Sequence, residues 1–402
     1  MSAMRWISGG VTAAGGFKAS GVSAGIKRSR KPDLALVVAD DLVPAAAVFT
    51  KNRVQAAPVL ISKARLRAGR AQAVLINSGC ANCMTGAAGM RDALVLSRAV
   101  AHQLGLRERD VLVASTGMIG RRLPVPRIAR AIPTLVSHLS RSHHTAAAQA
   151  MLTTDLRAKE AAVEMVMRGR VCRIGGMAKG AGMIAPSMAT MLCVMTTDVV
   201  IAPALLRTLL REATERTFNL ISIDGDMSTN DTVFALASGH SGVTVRAGTP
   251  AAAQFANMLD AVMERLARLI VKDGEGAVRL MEVEVVGART EREAQACARQ
   301  VALSPLVKTM LAGGDPNVGR IAAAVGSSSA RFNPNKFEIL IGAQRVVSRG
   351  VALRLQKSVT RELLTKPEVH VRINLHAGHG CGRMLTCDLT EAYVRINAKY
   401  ST

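Results

Sequence analysis

The longest nearly apolar run, Met183 to Thr197, is broken by Pro186 and closed by Asp198. A helix that crosses a bilayer needs ~20 predominantly apolar residues, and proline removes a hydrogen bond from any helix interior. The run therefore falls short of a membrane-crossing helix, and no transmembrane helix is expected. The first quarter of the chain has the same short-element character. Leu34 to Val38, Ala45 to Phe49, Pro58 to Ile61 and Ala73 to Ile76 read as strands between turn signals. Ala87 to Leu106 reads as a helix, Val111 to Ser115 as a strand, and Arg127 to Leu139 and Thr145 to Leu152 carry helical spacing. Ala161 to Met167 and Val171 to Ile174 alternate around Arg168-Gly169-Arg170, the pattern of a hairpin.

In the second half, Phe255, Leu259, Val262, Leu266 and Ile270 mark one helix face, which Lys272-Asp273-Gly274 ends. Arg279 to Val286, Phe337 to Ile341 and Val369 to Ile373 follow as strands, with a helix expected over Val351 to Leu364. Clusters of strands with helices between them, rather than strict alternation, predict an α+β fold of packed layers. At 402 residues, 49% hydrophobic and 20% charged, the chain can bury a large core. No internal repeat or low-complexity tract is evident.

Charge and cysteine usage narrow the function classes. A net charge of +23 would draw anionic partners. However, the only dense basic run is Lys27 to Lys31, and seven Phe, two Tyr and one Trp are too few for platforms that stack single-stranded bases. A basic binding protein without catalysis is the competing class, but no specific nucleic-acid partner is expected. The seven cysteines are odd in number and widely spread, which fits reduced thiols. Cys80 and Cys83 form a lone CxxC, and His376, His379 and Cys381 lack an obvious fourth ligand, so no metal is expected. Beyond Arg5, Gly9, Gly10, Gly15 and Gly16 interrupt the apolar core that a secretory signal needs. A cytoplasmic location is the expectation.

Three familiar patterns fail on their context. Gly21-Val22-Ser23-Ala24-Gly25 fits a nucleophile elbow, but a basic turn follows where the elbow needs a helix. Gly314 to Ile321 resembles a phosphate-binding loop with Arg320 and Ile321 in place of the essential Lys and Ser or Thr. Gly180 to Ala185 fits a dinucleotide fingerprint, but Pro186 falls where its helix should run. What remains is KGAGMIAPSMATMLCVMTTD, Lys179 to Asp198, in which the Thr190 hydroxyl follows a glycine-rich, proline-kinked approach. Spacing alone favours a buried strand threonine bonded to backbone.

The run KGAGMIAPSMATML closely resembles the self-processing signature of the ornithine acetyltransferase family, also called glutamate N-acetyltransferase. GIKRSRKPDLALVVAD, NSGCANCMTG, ASTGMIG, LTTDLRAKE, FNLISIDGDMSTNDT, DGEGA, SPLVKTMLAGGDPNVGR and CDLTEAYVRINAKYST resemble further family blocks in family order. Ala181, Ser187, Val318, Leu156, Ala158 and Lys399 depart from the usual residues at their positions.

The resemblance implies the layered α-β-β-α sandwich of the self-cleaving acetyltransferases, cut between Ala189 and Thr190 into an α chain of residues 1–189 and a β chain of residues 190–402. The chains would stay associated and pair as an α2β2 heterotetramer. It implies acetyl transfer from N2-acetylornithine to glutamate in arginine biosynthesis, with Thr190 as nucleophile and Thr116 and Gly117 as the oxyanion-hole pair. Thr153 (with Thr154 as the adjacent alternative), Lys179, Glu275, Asn397 and Thr402 match substrate contacts. No cofactor is implied. The family includes members with and without a second activity that uses acetyl-CoA as donor.

Overall fold

The computed structural model describes residues 4–185, 191–315, 317–354 and 356–399. The chain divides into two compact units, Met1–Asn219 with Asp226–Ile270, and Leu220–Gly225 with Val271–Thr402.

The first unit is organised by one long strand, Leu34–Phe49. Its first part pairs antiparallel with Phe17–Val22 and with Arg70–Cys80, its last part antiparallel with Thr232–Ala237, and its register to Arg70–Cys80 shifts between Val38 and Val43. An irregularity of this kind bends a strand, so a single chain segment can serve two packed sheet halves. One half continues from Arg70–Cys80 to the parallel strand Val111–Met118. The other runs from Thr232–Ala237 through Leu192–Thr197 and Arg170–Lys179 to Lys159–Met167 and Arg5–Ile7.

Because strand side chains alternate between faces, the two halves have distinct inner and outer surfaces. Val37, Val74, Ile76 and Leu112 from one half share a core with Met177, Leu192, Val194, Phe234 and Leu236 from the other, joined by Ala147, Ala148 and Met151 of helix His144–Met151. The alternate residues Leu34, Leu36, Leu75 and Val113 face outward against Leu96, Val100, Ile128 and Leu135, from helices Gly86–Leu104 and Val125–Ser137. On the opposite outer face helix Pro250–Lys272 packs so closely that a Cβ on Gly176 would come within 3.2 Å of Leu266, and one on Gly180 within 2.6 Å of Ile270. The order across the unit is helix, sheet, sheet, helix, as expected. Full burial of each large apolar side chain, Phe234 for example, stabilises it by ~1.5–3 kcal/mol.

The second unit has a mixed sheet in the order Ile221–Ser222, Gly380–Cys387, Leu280–Ala288, Glu368–Asn374, Glu338–Ile341, Gln344–Ser348 and Val351–Ala352. Met281, Val283, Val285, Val369, Val371 and Ile373 form one buried face, covered by Ala294, Cys297, Val301, Met310 and Ile321 from the helices Glu291–Leu303, Pro305–Gly313 and Val318–Gly326. The intervening residues carry charge. Glu284 lies 3.4 Å from Arg372 and 3.5 Å from His370.

Two expected elements differ. Pro58 to Ile61, expected as a strand, lies in helix Ala57–Arg65. Pro58 there occupies the first turn, where a missing N–H costs nothing. The helix expected over Val351 to Leu364 is confined to Lys357–Thr365, and Val351–Ala352 ends the sheet as a short strand. Among the described residues no helix is long and apolar enough to cross a membrane.

Candidate active site

The parallel pairing of Arg70–Cys80 with Val111–Met118 places Ser78 beside Thr116 and Gly79 beside Gly117 before the register breaks at Cys80. Gly117 has φ 127°, and a Cβ there would lie 2.4 Å from the Gly79 carbonyl carbon and 2.6 Å from the Cys80 nitrogen. Only glycine fits, so the STG turn is shaped by close backbone approach. Asn230 Nδ2 donates to the carbonyls of Ala81 (2.7 Å) and Ser115 (2.8 Å) and fastens the two strand ends together. Thr116 is buried, and its Oγ1 accepts from Lys179 Nζ at 3.4 Å.

Lys179 is set by the hairpin Lys159–Met167 and Arg170–Lys179, which pairs Lys159 with Ala178 and brings the two lysines to one end of the sheet. Between them lies Asp155, whose side chain is fully buried. Its Oδ1 accepts from Lys159 Nζ at 2.7 Å and from the Gly180 N–H at 2.8 Å. Its Oδ2 accepts from the Thr153 N–H at 3.1 Å and lies 3.9 Å from Lys179 Nζ. Burial works to raise the Asp155 carboxyl, but Lys179, Lys159 and these hydrogen bonds together hold it below its ordinary value. The carboxylate thus stays charged and compensates two nearly buried ammonium groups.

Lys27, the first residue of the basic run, is half-buried, whereas Arg28, Arg30 and Lys31 are exposed. Its Nζ donates to the Pro32 carbonyl at 2.7 Å, and Asp33 accepts the backbone N–H groups of Ala24, Ile26 and Lys27. A Cβ on Gly79 would lie 3.1 Å from Lys27 Cγ, so the lysine stem runs along the strand that flanks the STG turn. Burial lowers its ammonium to about 8 against the opposing pull of Asp33 and Asp155, with Lys179 adding to the lowering.

The strand Leu192–Thr197 lies antiparallel to Arg170–Lys179, with Leu192 opposite Lys179, and parallel to Thr232–Ala237. The Met191 N–H donates to Asp231 Oδ1 at 3.0 Å, and the Met191 carbonyl accepts from Thr232 N at 3.1 Å. Ala189 and Thr190 lie outside the described residues. The register nevertheless puts Thr116, Gly117, Thr153, Lys179 and the start of the strand that follows Thr190 within one network at one sheet end. Asp155, Lys27 and Asp231 belong to this network; they stand in the blocks LTTDLRAKE, GIKRSRKPDLALVVAD and FNLISIDGDMSTNDT but are not among the residues to which the resemblance assigns a role.

In the second unit Glu275 is buried in the turn after helix Pro250–Lys272 and accepts from Asn397 Nδ2 at 2.7 Å. Helix Glu391–Ala398 is seated on that turn: Thr390 Oγ1 donates to the Gly276 carbonyl at 2.7 Å, and Gly276, at φ 70°, would place a Cβ 2.6 Å from the Tyr393 nitrogen. Tyr393 in turn donates its hydroxyl to Asp224 Oδ2 at 3.1 Å. Glu275 and Asn397 are therefore brought together, while Thr402 lies outside the described residues.

The chain matches the ArgJ family over residues 18–402. It is 43% identical to the arginine biosynthesis bifunctional protein ArgJ of Thermosynechococcus vestitus over 419 residues, covering 100% of both chains. It is 46% identical to the chloroplastic protein of that name from Ricinus communis over 407 residues, 98% of this chain and 87% of the relative. A solved ornithine acetyltransferase from Mycobacterium tuberculosis, complexed with ornithine, is 41% identical and overlaps 46% of this chain and 99% of its own, with a TM-score of 0.44.

Proposed function

The chain belongs to the ArgJ family, and on that premise we propose that it transfers an acetyl group from N2-acetylornithine to L-glutamate, releasing ornithine and N-acetylglutamate. The observation that carries this reading is the network at the sheet end. A glycine-only turn with the Thr116 hydroxyl, a buried Lys179 held by Asp155, and the strand entered from Thr190 all meet there.

The chain first cuts itself. Thr190 Oγ attacks the Ala189 carbonyl carbon, the C–N bond breaks, and the departing nitrogen takes up the hydroxyl proton. Water then hydrolyses the ester, leaving a carboxylate on Ala189 and a free α-amine on Thr190. Such an amine titrates near ~7.7–8.0 and can serve as the base for its own hydroxyl. The strand Leu192–Thr197 stays paired on both sides with strands from either side of the cut, which supports lasting association of the two pieces.

In transfer, the Thr190 hydroxyl attacks the acetyl carbonyl, ornithine leaves protonated, and the acetyl ester waits for the glutamate amine. Backbone and side-chain donors of Thr116 and Gly117 meet the developing oxyanion, where one donor is typically worth ~2.7–4 kcal/mol. Lys179 and Thr153 contact the substrate from the Asp155 hub, and Glu275, Asn397 and Thr402 serve its side chain. The relatives are named bifunctional, and acetylation of glutamate from acetyl-CoA is the second activity we assign. No bound cofactor enters the scheme. A paired α2β2 assembly in the cytoplasm completes the proposal.

Intact-mass measurement of the purified chain tests it. Two pieces divided before Thr190 are expected, and incubation with acetylornithine alone should add one acetyl group to the β piece. A full-length species that takes up no acetyl group would overturn the reading.

A further inference from the structure

In the second unit, the turn that carries Glu275 and the helix that carries Asn397 converge on a buried acid that has no part in the scheme above. Asp388 is 2% exposed, and its side chain is fully buried. The antiparallel register that sets Leu280 opposite Cys387 brings it beside Arg279, at the end of the Glu275 turn. Its Oδ1 accepts the backbone N–H groups of Val278 at 2.8 Å and Arg279 at 3.1 Å, and its own N–H donates to the Arg279 carbonyl at 3.1 Å. On either side of Asp388 the chain touches the same turn. A Cβ on Gly274 would lie 3.3 Å from Cys387 Sγ, and Thr390, where helix Glu391–Ala398 begins, donates its hydroxyl to the Gly276 carbonyl. The residues before and after Glu275 are thus both gripped from the segment Cys387 to Thr390.

That segment rests in turn on helix Pro305–Gly313. The Leu389 N–H donates to the Lys308 carbonyl at 3.2 Å, and Lys308 Nζ donates to Thr386 Oγ1 at 2.8 Å. Arg279 Nη1 donates to the Leu311 and Ala312 carbonyls at 3.1 and 3.0 Å and lies 3.9 Å from Asp388 Oδ2. A guanidinium suits this place, because the last carbonyls of a helix lack partners and carry partial negative charge. Burying a carboxylate is costly unless it is paired and hydrogen-bonded, and bonds to a charged acceptor are roughly twice as strong as neutral ones. The bonds that Asp388 makes in return fall on the Glu275 turn.

We propose that Asp388 is a positioning residue for donor recognition: by clamping Val278 and Arg279 it fixes where the Glu275 carboxylate stands against Asn397, and so sets the affinity for the ornithine side-chain ammonium. This inference rests on the reading of Glu275 and Asn397 as substrate contacts given above.

Asp388→Asn keeps the shape and one acceptor oxygen but removes the charge and sets an NH2 group near the Arg279 guanidinium. Two half-reactions are followed in single turnovers, ornithine release from acetylornithine and consumption of the acetyl-enzyme by glutamate. The half-saturating acetylornithine concentration should rise ~5-fold or more while the maximal release rate is kept, the pattern of lost binding rather than lost chemistry. The glutamate step should not slow, since an acid does not favour a carboxylate. An unchanged half-saturating concentration, or a slowing of both steps alike, would overturn the proposal.

A double-mutant cycle separates positioning from general support. If Asp388 acts through Glu275, adding Asp388→Asn to Glu275→Gln should change release by less than ~2-fold, because residues of one network are not additive. Fold-changes that multiply would make the two acids independent and overturn the proposal. Should Asp388→Asn fail to fold by circular dichroism, Asp388→Glu, which keeps the charge but displaces it, goes through the same cycle with the same expectation. Failure of both variants to fold would make Asp388 a residue of stability alone, which also overturns it. If Glu275→Gln by itself leaves the acetylornithine half-reaction untouched, the underlying assignment of Glu275 fails first, and this inference falls with it.

Discussion

Asp155 Oδ2 and Lys179 Nζ lie 3.9 Å apart with side-chain exposures of 0% and 3%. Asp155 also bonds Lys159 at 2.7 Å, so one carboxylate balances two buried ammonium groups, one of which reaches the Thr116 hydroxyl. Removing one partner of a buried pair costs ~3–5 kcal/mol because the remaining charge is left uncompensated. Asp155→Asn should therefore destabilise the chain by that order in urea melts at pH 7 and impair transfer as well.

The same carboxylate sets an acid dependence. Its folded-state titration lies below the unfolded value of ~3.9. Its stabilisation is then fully present above that value and is lost as pH falls through the folded one. Urea melts of the wild type should show this loss in acid, and Asp155→Asn should show a shallower decline. Equal declines in the two proteins would remove Asp155 from the role of charge hub.

Lys27 has the opposite linkage. Its titration is lowered from 10.5 to about 8 by burial, so between these values the unfolded chain holds more protons than the folded one. Stability from this group must rise as pH climbs from about 8 toward ~10.4. Lys27→Met should flatten that rise. The wild-type side chain, partly neutral at pH 8, should also be the lysine most rapidly acylated by a small reagent, which peptide mass mapping would reveal.

Gly117 allows a sharper test of the turn. Gly117→Ala would drive a Cβ to 2.4 Å from the Gly79 backbone at a φ of 127°, so the strand end must shift. Displacement of one oxyanion donor predicts a loss of ~2.7–4 kcal/mol in kcat, with little change in KM. A variant that turns over normally would show that the turn does not serve the oxyanion.

The layers were legible in the sequence because most elements carry a clean period. The hairpin at Arg168 to Arg170 and the helix marked by Phe255, Leu259, Val262, Leu266 and Ile270 lie where spacing puts them. Pro58 to Ile61 misled because Val59 and Ile61 favour strands, while helix Ala57–Arg65 buries them through tertiary packing. The site was legible only as family blocks. Thr116, Gly117, Thr153, Lys179, Asp155 and Asp231 all stand in such blocks, but no local signal singles out Asp155 or Asp231 within theirs. Asp155 acquires its role from a hairpin that returns Lys179 to it. Asp231 is brought to the Met191 N–H by the register of Thr232–Ala237 beside Leu192–Thr197.

Glu275 is the residue whose charge should distinguish the two substrates. Ornithine ends in an ammonium and glutamate in a carboxylate, so a buried acid there helps the donor and opposes the acceptor. Asn397 Nδ2 holds Glu275 Oε2 at 2.7 Å, and the close approach of Gly276 to Tyr393 fixes the turn that presents it. Glu275→Gln keeps an acceptor for Asn397 but removes the charge. Acetylornithine use should weaken by ~1–3 kcal/mol, the range for removing one charge-assisted hydrogen bond, while cleavage between Ala189 and Thr190 proceeds. The readout is ornithine release before glutamate is added. If that half-reaction is unchanged and only the glutamate step suffers, Glu275 does not meet the ornithine ammonium, and its bond to Asn397 serves the turn alone.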